Sequence, residues 1–560
     1  MHSFDENGVL GQLTARSERE LEAFFRRTLQ EARKQLEQAK EEAALNGRVI
    51  RLEAAAVSGT NGGDWWVVGG GAVHRELERY PDAEKIILDG APPADPCPLL
   101  SEARPLLMRC AYNGLWSPSG TNWQPVRCVE LAAAEMERLG GGNSCGLLVL
   151  ARARYQSILG DIAALAGREP SAGAEYIDPG IWLEAARLSA RGHGWELEER
   201  GLAREDEPRL SSFVDILQLR RKGPGAELAA QFMNQLLSGE LVPVALLAVR
   251  RGRPLRRDER SPAGLALSAI DRLMESRSTQ RVASPQGELD KRLLQEIFAL
   301  AGQGLEKKAT LYLSVHHWTE SLPREVGQAM HLGLEGEKGL IAALAPDNLR
   351  KYLNRRRDLP PDLAAWVAGK KAQQMQPQDI ELCASCLPRH LLQRLCSDGG
   401  YRRQGELLVD GRGRPLTVQR LCRLTQLVAR GFGKFFLSFQ NTHPLLGLLL
   451  LEKTGSEQLQ QLGRLVERMT LLARARGLSS IIKSGPLEIA GPKIRAILDE
   501  RGAPAGHPAL TFQLGLPLGP EEKVCAGSPS EHDGLQERLL DRRAGRARLT
   551  EHYLPAPEGL

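Results

Sequence analysis

The feature that most constrains this chain is an order of elements that occurs twice. An apolar strand, 146-GLLVLAR-152, is followed by the helical stretch 176-YIDPGIWLEAARLSARGHGWEL-197 and later by a closing apolar strand, 241-LVPVALLAVR-250. The order returns as 444-PLLGLLLLEKT-454, 457-EQLQQLGRLVERMTLLARARGL-478 and 509-ALTFQLGLPLG-519. Trp182, Ala185, Ala186 and Ser189 give the first helix a closely packing face, and it stops at Gly192 and Gly194 in C-cap fashion. The second helix has its own closing glycine. This recurrence predicts an internal duplication too degenerate for residue identity to display. A length of 560 residues agrees, because it exceeds what one hydrophobic core organises.

Composition narrows the class. With 42% hydrophobic and 26% charged residues the chain reads as soluble and globular. The longest apolar run, 444-PLLGLLLL-451, is closed by Glu452 and Lys453 and falls short of the roughly 18 residues of a membrane span. The start, 1-MHSFDENG, lacks the basic and apolar regions of a secretion signal, so a cytoplasmic location is expected. A net charge of +5 is small for this size and argues against a nucleic-acid partner. The local run 250-RRGRPLRRDER-260 has no aromatic residue for base stacking and reads as a solvated linker.

Nine scattered cysteines predict no disulfide framework. The one grouping is 383-CASCLPRHLLQRLC-396, where Cys383, Cys386, His390 and Cys396 are possible zinc ligands. Against zinc, a second Cys-x-x-Cys is missing, and Cys396 is expected to line a core with Leu392 and Leu395. The expectation is no metal.

Ser17 and Glu20 make a capping-box start for a long amphipathic helix over residues 18–45, able to pack on the body or to pair with another copy. The stretch 62-GGDWWVVGGGAVHRELERY-80 holds a short strand with glycines on both sides. A helix over 99–115 delivers the chain into 116-WSPSGTNWQP-125, and 126-VRCVEL-131 leaves it as a strand. Residues 268–304 read as a helix, an arginine-bearing turn and a second helix.

These residues carry a resemblance. The segment 117-SPSGTNWQP-125 resembles the Pro-Ser-x-x-Asn-x-Gln-Pro motif of the FMN-dependent nitroreductase superfamily, and 275-ESRSTQR-281 resembles the arginine turn that opens such a domain. The helix through 471-LLARARGLSS-480, then 483-KSGPLE-488 and the strand ending 513-QLGLPLG-519, is similar to that fold's second half. The likeness implies an α+β fold: two nitroreductase-like α/β/α halves packed as a single-chain pseudo-dimer. Its domains would be an N-terminal helical extension, 1–97, a first half, 98–256, and a second half, 257–560, with an insertion at about 345–433.

What the resemblance implies for function is an FMN-dependent oxidoreductase, its flavin held between the halves. Pro118, Ser119, Gly120, Asn122 and Gln124 would come from the first half, and Arg277, Ser278 and Arg281 from the second, with Lys483, Ser484 and Gly485 beside them. Arginine suits phosphate because its planar fork donates in pairs. The implied partners are a small-molecule or peptide substrate and NAD(P)H as donor, with no membrane. Catalytic residues and the direction of electron transfer do not follow.

The family pattern is broken at several points. Val126 stands where tryptophan is usual, Gln513 replaces a basic residue for which Lys483 is the substitute, and 310-TLYLSVHHWTESLP-323 has His316, His317 and Trp318 in place of a second loop. Taken alone, Arg277 and Arg281 read as helix-terminal surface residues and the loop as an ordinary turn. Their order along the chain, joined to both glycine-ended helices, points to flavin. Other readings kept open are a flavin-holding regulator whose active site is blocked by the insertion, a peptide-modifying flavin dehydrogenase, and a zinc-stabilised partner-binding protein.

Overall fold

The computed structural model describes residues 50–58, 64–69, 75–76, 81–89, 103–115, 125–141, 144–153, 158–167, 173–202, 207–221, 225–251, 268–276, 287–288, 291–305, 309–315, 321–356, 359–369, 376–388, 391–392, 395–396, 400–438, 445–515 and 553–556. The expected helix at 18–45 lies outside them.

In chain order the first elements are β1 (Ile50–Ser58), β2 (Asp64–Gly69), β3 (Arg75–Glu76), α1 (Pro81–Asp89), α2 (Ala103–Leu115), β4 (Val126–Leu131) and α3 (Ala133–Arg138). Then come β5 (Gly146–Arg152), α4 (Ile158–Leu165), α5 (Ala174–Gly192), β6 (Trp195–Gly201), α6 (Glu207–Arg220), α7 (Ala226–Leu237) and β7 (Leu241–Arg251). The middle of the chain holds α8 (Ala269–Ser276), β8 (Gly287–Glu288), α9 (Lys291–Ala301) and β9 (Ala309–Val315). It continues with α10 (Ser321–Glu335), α11 (Leu340–Ala343), α12 (Pro346–Leu353), α13 (Pro361–Val367), β10 (Arg402–Gln404), β11 (Leu407–Val409) and α14 (Val418–Ser438). Last are β12 (Leu445–Leu451), α15 (Ser456–Ala475), β13 (Ser479–Lys483), α16 (Gly485–Glu500), β14 (His507–Gly515) and β15 (Tyr553–Leu554).

The protein is α+β. Two sheets have matching strand orders, β4-β5-β7-β6 and β9-β12-β14-β13, antiparallel throughout. In each, a long helix leads from the second strand to the short edge strand: α5 in the first and α15 in the second. The chain's last strand, β15, returns from beyond the second sheet to pair in parallel with β4 of the first. A further sheet, β3-β2-β1-β8, and the hairpin β10-β11 complete the described strands.

The central strands are covered on both faces, which explains their unbroken apolar runs. Along β5, Leu147 and Val149 enter a core with α2 and α5, while Leu148 and Leu150 enter another with α6 and α7. Alternation continues in β12. Leu448 and Leu450 face the helices between β9 and β12, and Leu445, Leu449 and Leu451 face the core of α5 and α15. Period-two geometry thus splits one leucine run between two cores.

Helices α5 and α15 cross where glycine removes the side chains. A Cβ on Gly180 would overlap the carbonyl oxygen of Gln460, and a Cβ on Gly463 would overlap that of Ile177. Ile177 and Gln460 are as far apart in the chain as Gly180 and Gly463, so the contact is reciprocal, as across a two-fold axis. The same spacing relates Gly194 and Gly477, the positive-φ residues (72° and 76°) just past each helix.

Helices α1 and α8 repeat this relation. Ala83, Ile86 and Ile87 are buried on α1, and Ile270, Leu273 and Met274 are buried at the same intervals on α8. The first of these helices packs on α15 and α9, the second on α5 and α2.

The segment between β9 and β12 is helical and has its own core around Trp366. This core includes Ile162 and Leu165 of α4 and Ile494 and Leu498 of α16, so the segment packs on elements from both sheets' surroundings. Here two expectations are corrected. Cys383 and Cys386 are joined as a disulfide, since the Cys-x-x-Cys spacing lets a tight turn through Ala384–Cys386 bring the two Cα atoms within 5.4 Å. Cys396 is exposed and lines no core, although Leu395 beside it is buried. His390 lies outside the described residues.

Candidate functional site

Helix α2 ends at Leu115, one residue before the tryptophan-flanked loop, and α8 ends at Ser276, one residue before the arginine turn. Pro118, Ser119, Gly120, Asn122 and Gln124, and likewise Arg277, Ser278 and Arg281, lie outside the described residues. So do His316, His317 and Trp318. Val126 opens β4 and is buried.

The two carrier helices are bonded to each other. Asn113, two positions before the end of α2, donates Nδ2 to Oδ1 of Asp271 in the first turn of α8 at 2.5 Å, and to Oγ of Ser189 on α5 at 2.8 Å. Asp271 has no solvent exposure. Its carboxylate also meets Nε2 of His193 at 2.6 Å, accepts from the Ser268 backbone N–H at 2.9 Å and from the Ser189 hydroxyl at 3.3 Å, and lies 3.4 Å from Nε of Arg109. Burial alone would raise this carboxyl. The charges of Arg109 and His193, with the hydrogen bonds from His193 and the Ser268 amide, outweigh that and hold it well below the usual range.

Lys483, Ser484 and Gly485 are adjacent in space as in sequence. Lys483 ends β13, is buried, and donates Nζ to Oε1 of Gln513 on β14 at 3.4 Å. Its carbonyl accepts from Oγ1 of Thr511 at 2.9 Å. Ser484 is the N-cap of α16 and Gly485 its first residue, so a buried cation immediately precedes a helix N-terminus. That pairing has the chemistry of an anion cradle: positive charge beside amides that point outward.

A second buried ionic cluster joins α5 to α15. Glu184 receives bidentate donation from Arg187, at 2.7 and 3.0 Å, and donation from Nε of Arg468 at 2.6 Å, with Arg464 at 3.8 Å. Arg464 also pairs with Glu199 of β6, and Arg468 donates to the carbonyl of Gln303 at 2.5 Å. Burial raises the Glu184 carboxyl, but the arginines hold it down to about 2. The reciprocal positions on α5 are Ile181 and Ala185, so the network is one-sided.

Sequence reasoning missed both clusters. A signal for the first existed in Ser268-x-x-Asp271, a capping-box pattern, and in the polar Asn113 and Ser189 on otherwise apolar faces. Among the described residues no group of three or more His, Cys, Asp or Glu side chains is placed to hold a metal ion. None of the described helices is long and apolar enough to cross a membrane.

No family model matches the chain, and no curated protein matches it. Among solved structures it is similar to the FMN-dependent nitroreductase NfnB from Mycobacterium smegmatis in complex with NADPH, at 14% identity and a TM-score of 0.24, over 49% of this chain and 97% of that one. It is also similar to a putative nitroreductase from Anabaena variabilis, at 11% identity and a TM-score of 0.27, over 74% of this chain and 88% of that one. Both similarities are of low extent.

Proposed function

We propose that this chain is an FMN-dependent oxidoreductase of the nitroreductase type whose two halves are packed as an intramolecular pseudo-dimer. The observation that carries this reading is the bond between Asn113 and Asp271, because it joins the helix leading into the Pro-Ser loop to the helix leading into the arginine turn. Sequence motifs assign those segments to opposite halves of one composite flavin grip. Their carriers touch. The reciprocal crossing at Gly180 and Gly463, and the return of β15 to the first sheet, support the two-half arrangement.

In this reading the first half begins at α1, the counterpart of α8, ahead of the boundary at residue 98 expected from the sequence. The turn after α1 is then 90-GAPPA-94, which has no arginine, against 277-RSTQR-281 after α8. Only one of the two reciprocal sites has a phosphate grip.

Bound FMN would accept and pass on electrons in pairs or singly, with NAD(P)H as donor and a small molecule or peptide as the other substrate. The chain's own residues bind and orient. Arg277 and Arg281 would hold the phosphate by paired donation, with Ser278 adding a hydroxyl donor. Ser119, Asn122 and Gln124 would offer side-chain hydrogen bonds to the ring edge, and Pro118 and Gly120 would contribute backbone contacts beside them. Lys483, Ser484 and Gly485 would supply positive charge and helix amides to an anionic part of the bound flavin. The helical segment between β9 and β12, which packs on both α4 and α16, would limit access in this reading.

Absorbance of the purified protein tests the reading. A flavin band that bleaches on adding NADH or NADPH is expected. Protein that neither retains FMN nor takes it up would overturn it.

A further inference from the structure

The Asp271 cluster joins the two helices that lead into the segments proposed to grip the flavin. Asp271 stands in the first turn of α8, whose last residue precedes Arg277; Asn113 stands in the last turn of α2, whose last residue precedes the Pro-Ser loop. We infer that Asp271 is a positioning residue for the proposed flavin site, locking α8 onto the end of α2 and so fixing the helix ends, Leu115 and Ser276, from which the two motif segments leave. The inference rests on the flavin reading above and deepens it.

Two observations favour positioning over a simple role in helix stability. Asn113 spends Nδ2 on Asp271 and Ser189 and leaves Oδ1 buried without a hydrogen-bond partner, so the direction of its amide is set by these acceptors. An amide oriented at the cost of an unmet acceptor fixes α2 against α8 in rotation as well as distance.

The other observation is a comparison internal to the molecule. His193, the C-cap residue of α5, pairs with Asp271 of α8; Arg476, the C-cap residue of α15, pairs with Glu84 of α1 at 2.7 Å. Glu84 occupies on α1 the place of Asp271 on α8, between the same buried apolar positions. There the arginine also reaches the exposed carboxylate of Glu296 at 3.1 Å, and the carboxylate of Glu84 is partly open to solvent. The closed, multiply bonded version occurs only on the side whose turn carries arginines.

Asp271 also caps its own helix, accepting from the Ser268 N–H while its own N–H donates to Ser268 Oγ at 3.1 Å. Substitutions separate the two roles. Ser268→Ala removes the side-chain half of the cap and leaves both α2 contacts; Asn113→Ala removes the hydrogen bond from α2, leaves the ion pair of Arg109 with Asp271, and leaves the cap.

The test uses the full-length chain stripped of flavin and titrated with FMN, following flavin fluorescence, with a melting temperature recorded for each apoprotein. Asn113→Ala and Asp271→Asn are expected to raise the FMN Kd about tenfold or more, the scale of one or two buried hydrogen bonds. Ser268→Ala and the internal control Glu84→Gln are expected to keep Kd within about twofold while lowering the melting temperature, because a cap or a peripheral ion pair acts on stability. The visible circular dichroism of bound flavin, which reports the ring's surroundings, should change in Asn113→Ala alone of those that melt normally. Unchanged Kd and dichroism in Asn113→Ala, with FMN bound by the unaltered chain, overturns the positioning role and leaves the flavin reading standing. Equal weakening by Ser268→Ala overturns it too, by making the effect one of helix stability. If Asp271→Asn does not fold, Asn113→Ala decides. An unaltered chain that binds no FMN overturns both.

Discussion

At the scale of single residues, the proposed phosphate grip and the helix crossing make separate demands. Arg277→Ala should weaken FMN retention far more than Arg260→Ala, because a charge-assisted pair to phosphate contributes about 1.5–3 kcal/mol while a linker arginine stays solvated. Asn122→Ala should lose less, about 1 kcal/mol for one neutral hydrogen bond. Flavin released on gel filtration measures both, and equal retention in the two arginine variants would remove the arginine turn from the site. The crossing is stricter. At Gly180 a new Cβ meets backbone, which cannot rotate aside, so Gly180→Ala should destabilise by about 1–3 kcal/mol through overpacking. Gly201 has open space around it, so Gly201→Ala should cost little by comparison in the same thermal melt.

Among the elements, β15 and the pair α5–α15 carry the connections between distant parts of the chain. Tyr553 donates its hydroxyl to Oε2 of Glu130 at 2.6 Å, the Ala556 N–H adds a second bond at 3.1 Å, and Arg220 donates to the carbonyls of Pro555 and Glu130. Tyr553→Phe should therefore cost about 1 kcal/mol, since Glu130 keeps another donor. Deleting residues 551–560 should cost more, because the buried Leu554 side chain alone contributes about 1.5–3 kcal/mol and the edge of β4 is left uncovered. Differential scanning calorimetry would rank the two. Between α5 and α15, Glu184 has its carboxyl held below its unfolded value of 4.5, at about 2. A depressed carboxylate adds stability above its unfolded pKa and loses it as pH falls through the folded one. Melting temperature should thus decline between pH about 4.5 and 2, and Glu184→Gln should flatten that part of the profile. A variant with the full acid dependence would show that other carboxylates govern it.

For the whole molecule, the proposed arrangement of two unlike halves has a consequence for stoichiometry. The Pro-Ser loop occurs after α2 and has no counterpart after α9, while the arginine turn occurs after α8 and has no counterpart after α1. In the proposed reading one composite site would be complete, and its reciprocal would lack both parts. The contacts between the long helices are unlike as well: Arg464 and Arg468 tie α15 to Glu184, Glu199 and the end of α9, where α5 offers Ile181 and Ala185. The expected ratio is one FMN per polypeptide in a monomer, with no second chain needed to finish the site. Quantifying released flavin against protein, with mass measured by light scattering, checks it; two FMN per chain, or flavin found only in dimers, would mean the halves are paired otherwise.

Periodicity and end signals were enough for most of the repeated elements: the strands at 126–131, 146–152 and 241–250, the helix closed by Gly194, and the later strand, helix and strand expected at 444–454, 457–478 and 509–519 stand within a few residues of expectation, whereas β9, in a stretch read as replacing a loop, was not expected. These features are local, written in burial alternation and in the one residue type that takes positive φ cheaply. Short motifs named the segments proposed to grip flavin, for the same reason. Contacts between distant segments were not legible. That Asn113 meets Asp271, that Gly180 meets Gln460, or that α1 plays the part of α8 depends on how helices hundreds of residues apart are superposed, and neither partner's own neighbours encode it. The Cys383–Cys386 pairing and the exposure of Cys396 were decided in the same way, by the turn and packing around them. Sequence determined the elements and the chemistry available at their ends; tertiary structure alone decided which ends are brought together, because burial and hydrogen bonding reward whichever partner arrives and not its place in the chain.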